Sequence, residues 1–412
     1  MTTLGQYKKL INGLNFAEQT NSKFLHLTVN ENQLSSDANR FLSSKLSERY
    51  YFGAGDNDSV IDFGSYTFRG IKEVEHLVKK AKEELMEMSG AKSCNLNCFS
   101  GLHAMMCAIL VSTAPSDTVM SIKFEDGGHS ATKGIIENLG RKHVFAVFDL
   151  NKLDFDFKQT LDIVKKSKVK TIYIDISVHI NTLDIKRLRK LLPKDVTIVY
   201  DASHSLGLIL GGLMESPIRQ GADIVCSNTH KTFAGPQGGL ILFKDKKFGE
   251  KATFLIDTTF VSSVNTGRLI SLSIAILEYM TYGKKYATTV VKNSRALASS
   301  FVKLGYEVRR SNSGFYSDNE QVHVFLDNST SKKEMFKNLL KNYISTNFMY
   351  VLGGRLFARI GTQEITRRGF IAKDMKLIAE LFDKAIKGKD VKSRVQKISK
   401  SHQKIKYAFS LK

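Results

Sequence analysis

Ala222 to Gly239 reads ADIVCSNTHKTFAGPQGG. The apolar run Ala222, Ile224, Val225, Cys226 has the composition of a short buried strand, and Asn228-Thr229-His230-Lys231-Thr232 follows at its end. Gly235, Pro236, Gly238 and Gly239 then break the chain into a turn before a second apolar run, residues 240–243. A lysine in a loop is ordinarily a solvated surface residue. Here it is flanked by small polar residues and held between two strands. A second stretch upstream matches it: residues 196–200 (VTIVY) read as a buried strand ending on Asp201, with Ala202-Ser203-His204 behind it.

A carboxylate at one strand end and a lysine at a nearby one suit a single cofactor. Pyridoxal phosphate needs an amine for its Schiff base and an acid that keeps its pyridine nitrogen protonated. Asp201-x-x-His204, then Thr229-His230-Lys231-Thr232 and the Gly-Pro-x-Gly-Gly turn, resemble serine hydroxymethyltransferase, a fold-type I pyridoxal-phosphate enzyme. Four further stretches carry the same resemblance in the same order. Residues 27–35 (LTVNENQLS) are similar to the family's Ser-Glu-Asn segment, and residues 99–104 (FSGLHA) to its Ser-Gly-Ser phosphate turn. Gly127-Gly128-His129 matches its Gly-Gly-His, and residues 358–370 (ARIGTQEITRRGF) match its C-terminal Arg-x-Gly-Thr motif.

The resemblance implies a role for each matching residue. Lys231 forms the Schiff base, next to His230. Asp201 braces the pyridine nitrogen, His129 stacks on the ring, and His204 contacts the phenolic oxygen or the region of the Schiff base. Ser177, after the apolar run at 171–176, is a candidate for the phenolic oxygen. Ser100, Gly101 and Leu102 form the phosphate turn, where free amides and a helix dipole favour an anion. Leu102 replaces the family's second serine, so backbone amides carry more of that load. Arg359 clamps the substrate carboxylate with a bidentate fork, near Asn30. Tyr50 matches the tyrosine given to a neighbour's active site, with Tyr51 as the alternative, which implies a homodimer with shared sites.

The departures fall at the amino-acid and folate end of the site. Phe52 stands where the family has a glutamate that assists folate-dependent one-carbon transfer, and Phe68 where it has a catalytic tyrosine. A phenyl ring exchanges no proton and does no acid–base work. Asn30 replaces the serine of Ser-Glu-Asn, and residues 262–267 (SSVNTG) replace a Gly-Gly-Pro loop.

Composition bounds the remaining choices. The chain has 412 residues and a net charge of +21, with lysines scattered apart from clusters at 165–170, 244–247 and beyond Lys387. No Arg-rich or aromatic-interleaved motif accompanies them, so a solvated lysine-rich surface is expected rather than a nucleic-acid interface. Four cysteines make neither a disulfide scaffold nor a zinc site. No signal segment or membrane-length apolar run is evident, so a cytoplasmic protein without membrane association is expected. Neither a P-loop nor a dinucleotide fingerprint supports a nucleotide-binding α/β protein. Joint retention of Lys231, Asp201 and Arg359 speaks against a silent scaffold.

From residue 92 onward, apolar strands at 93–99, 118–122, 144–148, 171–176, 196–200, 224–226 and 240–243 alternate with helices such as 101–112 and 132–139. That alternation predicts an α/β fold with a mainly parallel sheet covered on both faces. Helices at 269–283 and 286–304, then strands at 306–309, 321–326 and 357–360, predict a smaller α+β unit. The expected division is an N-terminal arm (1–50), a large cofactor-binding domain (51–284), a small C-terminal domain (285–390) and a basic tail (391–412). With the resemblance, this becomes the fold-type I, aspartate-aminotransferase-like architecture. The expected activity is making or breaking the Cα–Cβ bond of β-hydroxy-α-amino acids such as threonine or serine. Its small-molecule partners are an amino acid and an aldehyde. A folate-independent aldolase or transaldolase is favoured, with tetrahydrofolate doubtful; the alternative is a folate-dependent hydroxymethyltransferase.

Overall fold

The computed structural model describes residues 3–56, 59–63, 65–327 and 331–410. Its centre is a seven-stranded sheet in the order Ser93–Asn95, Gly239–Phe243, Ile224–Asn228, Thr197–Asp201, Val169–Ile174, Thr118–Ser121, Lys142–Phe145. Gly239–Phe243 runs antiparallel to both its neighbours, and the other adjacent pairs are parallel. The apolar strand runs divide by alternation. Ile172, Ile174, Ile198 and Tyr200 pack on one face of the sheet, while Tyr173, Val199, Ile224 and Cys226 pack on the other. A strand buried on both faces needs no polar side, which explains the continuous apolar runs.

Helices cover those faces by their own periodicity. Lys72–Ser89 buries Val74, Val78, Ala81 and Leu85 and ends at Gly90, whose φ of 78° makes it a left-handed cap. Residues 269–304, expected as two helices, form one, Thr266–Lys303. The Gly283-Lys284-Lys285 stretch reads as a break, yet a glycine inside a helix costs only about 1 kcal/mol. Gly211 packs against this stretch and is the residue that must stay bare: a Cβ on it would sit 2.8 Å from the Gly283 carbonyl oxygen.

A second core lies under a three-stranded antiparallel sheet, ordered Gln321–Phe325, Phe357–Gly361, Asn347–Met349. Residues 306–309 form no strand and contribute a single bridge, Val308 to Val324. At the N-terminus Leu25–His26 pairs with Ile344–Ser345, and Leu25 and Leu27 join the second core. Helix Thr3–Asn21 buries no residue. The basic tail forms helix Lys392–Ser401, and Leu411 and Lys412 lie outside the described residues. The four cysteines are free and buried. Among the described residues no helix is long and apolar enough to cross a membrane.

Candidate active site

Open parallel sheets present their loops at the carboxyl ends of the strands, and there the predicted residues converge. A cavity of about 250 Å³ is lined by Ser100, Gly101, Leu102, His129, Ser177, Asp201, His204, His230 and Lys231. Arg359 and Asn30 stand at its Ser177 side: Arg359 Nη1 donates to the Ser177 carbonyl at 3.1 Å and Nη2 to Asn30 Oδ1 at 3.1 Å. Tyr50 is not brought there. It is 63% exposed and packs beside Phe52 and Phe68. Tyr51 is buried and donates its hydroxyl to Glu75.

Lys231 is positioned by the turn after Ile224–Asn228, which Gly235 closes by donating its amide hydrogen bond to the Thr229 carbonyl at 2.8 Å. Gly239 must lack a side chain, because a Cβ there would lie 2.3 Å from the Ser100 carbonyl oxygen. This close approach sets the phosphate turn against the lysine turn. Burial pushes the Lys231 amine down to about 8. Its Nζ lies 3.2 Å from His204 Nε2. His204 is fully enclosed, and burial with the Lys231 and Arg359 cations holds it well below the usual imidazole range. His230 is pushed down to about 4, by burial and then by Lys231.

Asp201 ends strand Thr197–Asp201 and accepts from the Tyr173 hydroxyl and the Ser203 amide, both at 2.8 Å. Ser100 caps helix Gly101–Ser112 by accepting from the His103 amide at 3.0 Å. The first amides of that helix have no intrahelical acceptor, which suits a phosphate. His129 is held through its own amide, which donates to Asp175 Oδ2 at 3.1 Å. Burial lowers the His129 pKa. Ser177 donates to the Gly127 and Gly128 carbonyls, at 3.2 and 3.3 Å.

Sequence reasoning missed three residues. Asp175 follows strand Val169–Ile174, accepts from the Thr132 hydroxyl, and is pushed by burial up to about 7. The strand-end carboxylate signal that found Asp201 applies to it equally. Asn32 donates to the Lys231 carbonyl at 2.6 Å and to the Tyr286 hydroxyl at 2.9 Å. Glu320, fully buried, faces His204 from the second core. Asn32 is the asparagine of the Asn30-Glu31-Asn32 stretch, so its motif could have flagged it; nothing local in the sequence marks Glu320.

The pyridoxal phosphate implied by the sequence fits this cavity. One amine, two strand-end carboxylates and a set of helix amides face one space. Asn228 Oδ1, His230 Nδ1 and Asp175 Oδ1 are buried there without a hydrogen-bond partner, an arrangement that asks for a polar occupant.

The serine hydroxymethyltransferase family model matches residues 6–382. A fluorothreonine transaldolase of Streptantibioticus cattleyicolor is 34% identical over 369 residues, which are 88% of this chain and 57% of that protein. A serine hydroxymethyltransferase of Archaeoglobus fulgidus is 29% identical, covering 93% of this chain and 88% of its own. The crystal structure of an L-threonine transaldolase from Pseudomonas fluorescens superposes with a TM-score of 0.88 at 24% identity, over 99% of this chain and 96% of that one. The architecture is thus the fold-type I one, and pyridoxal phosphate is the cofactor the family implies. The chain belongs to the serine hydroxymethyltransferase family.

Proposed function

We propose that this protein makes or breaks the Cα–Cβ bond of β-hydroxy-α-amino acids without folate, as a threonine aldolase or transaldolase. The observation that carries the reading is a cofactor cavity around Lys231 combined with a Phe52–Phe68 contact that offers no exchangeable proton. The 34% identity to a fluorothreonine transaldolase supports it, although this chain spans only 57% of that relative's length.

When bound, pyridoxal phosphate supplies an electron sink for the carbanion that bond cleavage leaves at Cα. The chain's own residues do the rest. Lys231 provides the amine, made available near neutrality by burial. Asp201, fixed by Tyr173 and Ser203, holds the proton on the ring nitrogen. Ser100, Gly101 and Leu102 bind the phosphate. His129 covers the ring from the cavity wall, Ser177 and His204 serve the phenolic oxygen, and His230 supports Lys231. Arg359 binds the amino-acid carboxylate beside Asn30, a task for which its fork suits two oxygens at once. Tyr50 reaches the site of a second copy in a homodimer. Four reduced, buried thiols fit a cytoplasmic setting.

Absorbance spectroscopy tests the reading. The purified protein should show a visible band that Lys231→Ala abolishes. Threonine or glycine should shift that band to longer wavelength equally with and without tetrahydrofolate. A shift seen only with folate would return the protein to the folate-dependent hydroxymethyltransferases, and no band at all would sink both.

A further inference from the structure

Behind the Lys231 cavity lies a closed polar layer that this chemistry has not used. Glu320 precedes strand Gln321–Phe325 and is 0% exposed. Its Oε1 lies 3.9 Å from His204 Nδ1, and His204 Nε2 lies 3.2 Å from Lys231 Nζ. Both His204 Nδ1 and Glu320 Oε2 are buried with no hydrogen-bond partner. An ammonium has donors only, so a protonated Lys231 requires His204 Nε2 to accept. The ring proton must then sit on Nδ1, the atom that faces Glu320.

We propose that Glu320 is the positioning residue of a Lys231–His204–Glu320 relay: it fixes the His204 tautomer and receives, through the imidazole, the proton that Lys231 releases. The part this relay plays in turnover rests on Lys231 being the cofactor lysine; the proton coupling itself rests on the geometry of the three side chains. As the transfer runs, an N–H bond of the ammonium breaks while His204 Nε2–H forms. The His204 Nδ1–H bond breaks while an O–H bond forms on Glu320. One proton arrives on the carboxylate, one positive charge leaves Lys231, and no electrons change hands. The carboxylate of a Ser-His-Asp triad fixes its histidine's tautomer in the same way but takes no proton, so the proton transfer to Glu320 is the added element here.

The surroundings suit a carboxyl that gains and loses a proton near neutrality. Burial pushes Glu320 up to about 7, against the opposing pull of the Gln321 side chain, Arg359 and Lys231. Gln321 Nε2 donates to Glu320 Oε1 at 3.2 Å. The Tyr200 and Tyr286 hydroxyls also feel the Glu320 charge, and burial raises both above the usual tyrosine value. They therefore stay neutral and do not compete for the proton. His179 and His129 face His204 as well, and burial keeps each below the usual imidazole range.

The test is long-range ¹H–¹⁵N spectroscopy of the full chain labelled at histidine, with the pH dependence of Lys231 modification by an amine reagent. Wild type should show His204 as the Nδ1–H tautomer. Glu320→Gln should lose that preference and shift the Lys231 titration to lower pH, because an anion that favours the ammonium is gone. It should also lower kcat for threonine by on the order of 10²-fold with KM little changed, and Glu320→Asp should recover part of the loss. An Nε2–H tautomer in wild type below the Lys231 titration, where the ammonium still needs an acceptor, overturns the relay even if no variant folds. An unchanged tautomer and Lys231 titration in Glu320→Gln overturn it too. A Glu320-dependent Lys231 titration in a protein with no visible cofactor band would retire the cofactor reading and leave the relay standing.

Discussion

The rings of Phe52 and Phe68 pack against each other, with centroids 4.3 Å apart and planes tilted by 40°. Tyr50 and Tyr66 extend the cluster at 5.9 and 6.1 Å. Phe52 and Phe68 stand where the family resemblance calls for a carboxylate and a hydroxyl, and a phenyl ring has no proton to exchange. Threonine turnover should therefore be the same with and without tetrahydrofolate. A stimulation beyond a few-fold in steady-state kinetics would contradict this.

Arg359 is almost fully buried, and burial pushes its guanidinium down to about 10. Both of its Nη groups are engaged, by the Ser177 carbonyl and Asn30. Its Nε is buried without a partner. Arg359→Lys keeps the charge but loses the fork. KM for threonine should rise by about tenfold or more, while the visible cofactor band persists. A KM within twofold of wild type would remove Arg359 from carboxylate binding.

Asp175 holds the His129 amide and the Thr132 hydroxyl from inside the cavity wall. Asp175→Asn can accept one of these bonds but places an amide donor among donors. Cofactor affinity should weaken by about tenfold, on the order of 1–2 kcal/mol for an unsatisfied buried group. Titration of the cofactor-free protein with pyridoxal phosphate measures it; unchanged affinity would confine Asp175 to a packing role.

Glu364 is buried, accepts from Gln33 at 3.0 Å, and faces Arg368 and Glu31. Burial pushes its carboxyl up to about 8 from the ordinary glutamate value of 4.5. The folded protein therefore keeps a proton that the unfolded chain has lost. This contribution to stability is full below about pH 4.5 and declines as pH rises toward 8. Glu364→Gln, which cannot ionise, should gain melting temperature over wild type as pH is raised from 5 to 8. A difference that stays flat across that range would show the carboxyl to be ionised throughout.

Arg367 and Glu278 form an ion pair at 3.0 Å, each about 1% exposed. Arg367 also donates to the Tyr407 carbonyl, tying the C-terminal segment to helix Thr266–Lys303. Arg367→Met should cost about 3–5 kcal/mol, because it leaves Glu278 buried and unpaired. Adding Glu278→Gln should recover part of that loss. Urea unfolding of the single and double variants gives both numbers.

The sequence by itself determined the sheet, the strand ends and most of the cavity. Continuous apolar runs at 171–176 and 196–200 fit only strands covered on both faces, and strand ends in such a sheet face one edge. Hence Asp201, Lys231, His129 and the Ser100 turn meet although they are far apart in the chain. Local motifs were legible because their geometry is local: a glycine-rich turn and a helix N-terminus need only their own residues. Tertiary structure decided what depends on a surface from another element. Gly283 looks like a helix break until Gly211 is seen packed against it. Glu320 looks like a surface glutamate before a strand, yet the fold brings it under His204 and closes it off from the surface. Burial sets the charge states of Lys231, Asp175 and Glu320. Desolvation comes from the whole surrounding fold, and no local sequence pattern encodes it.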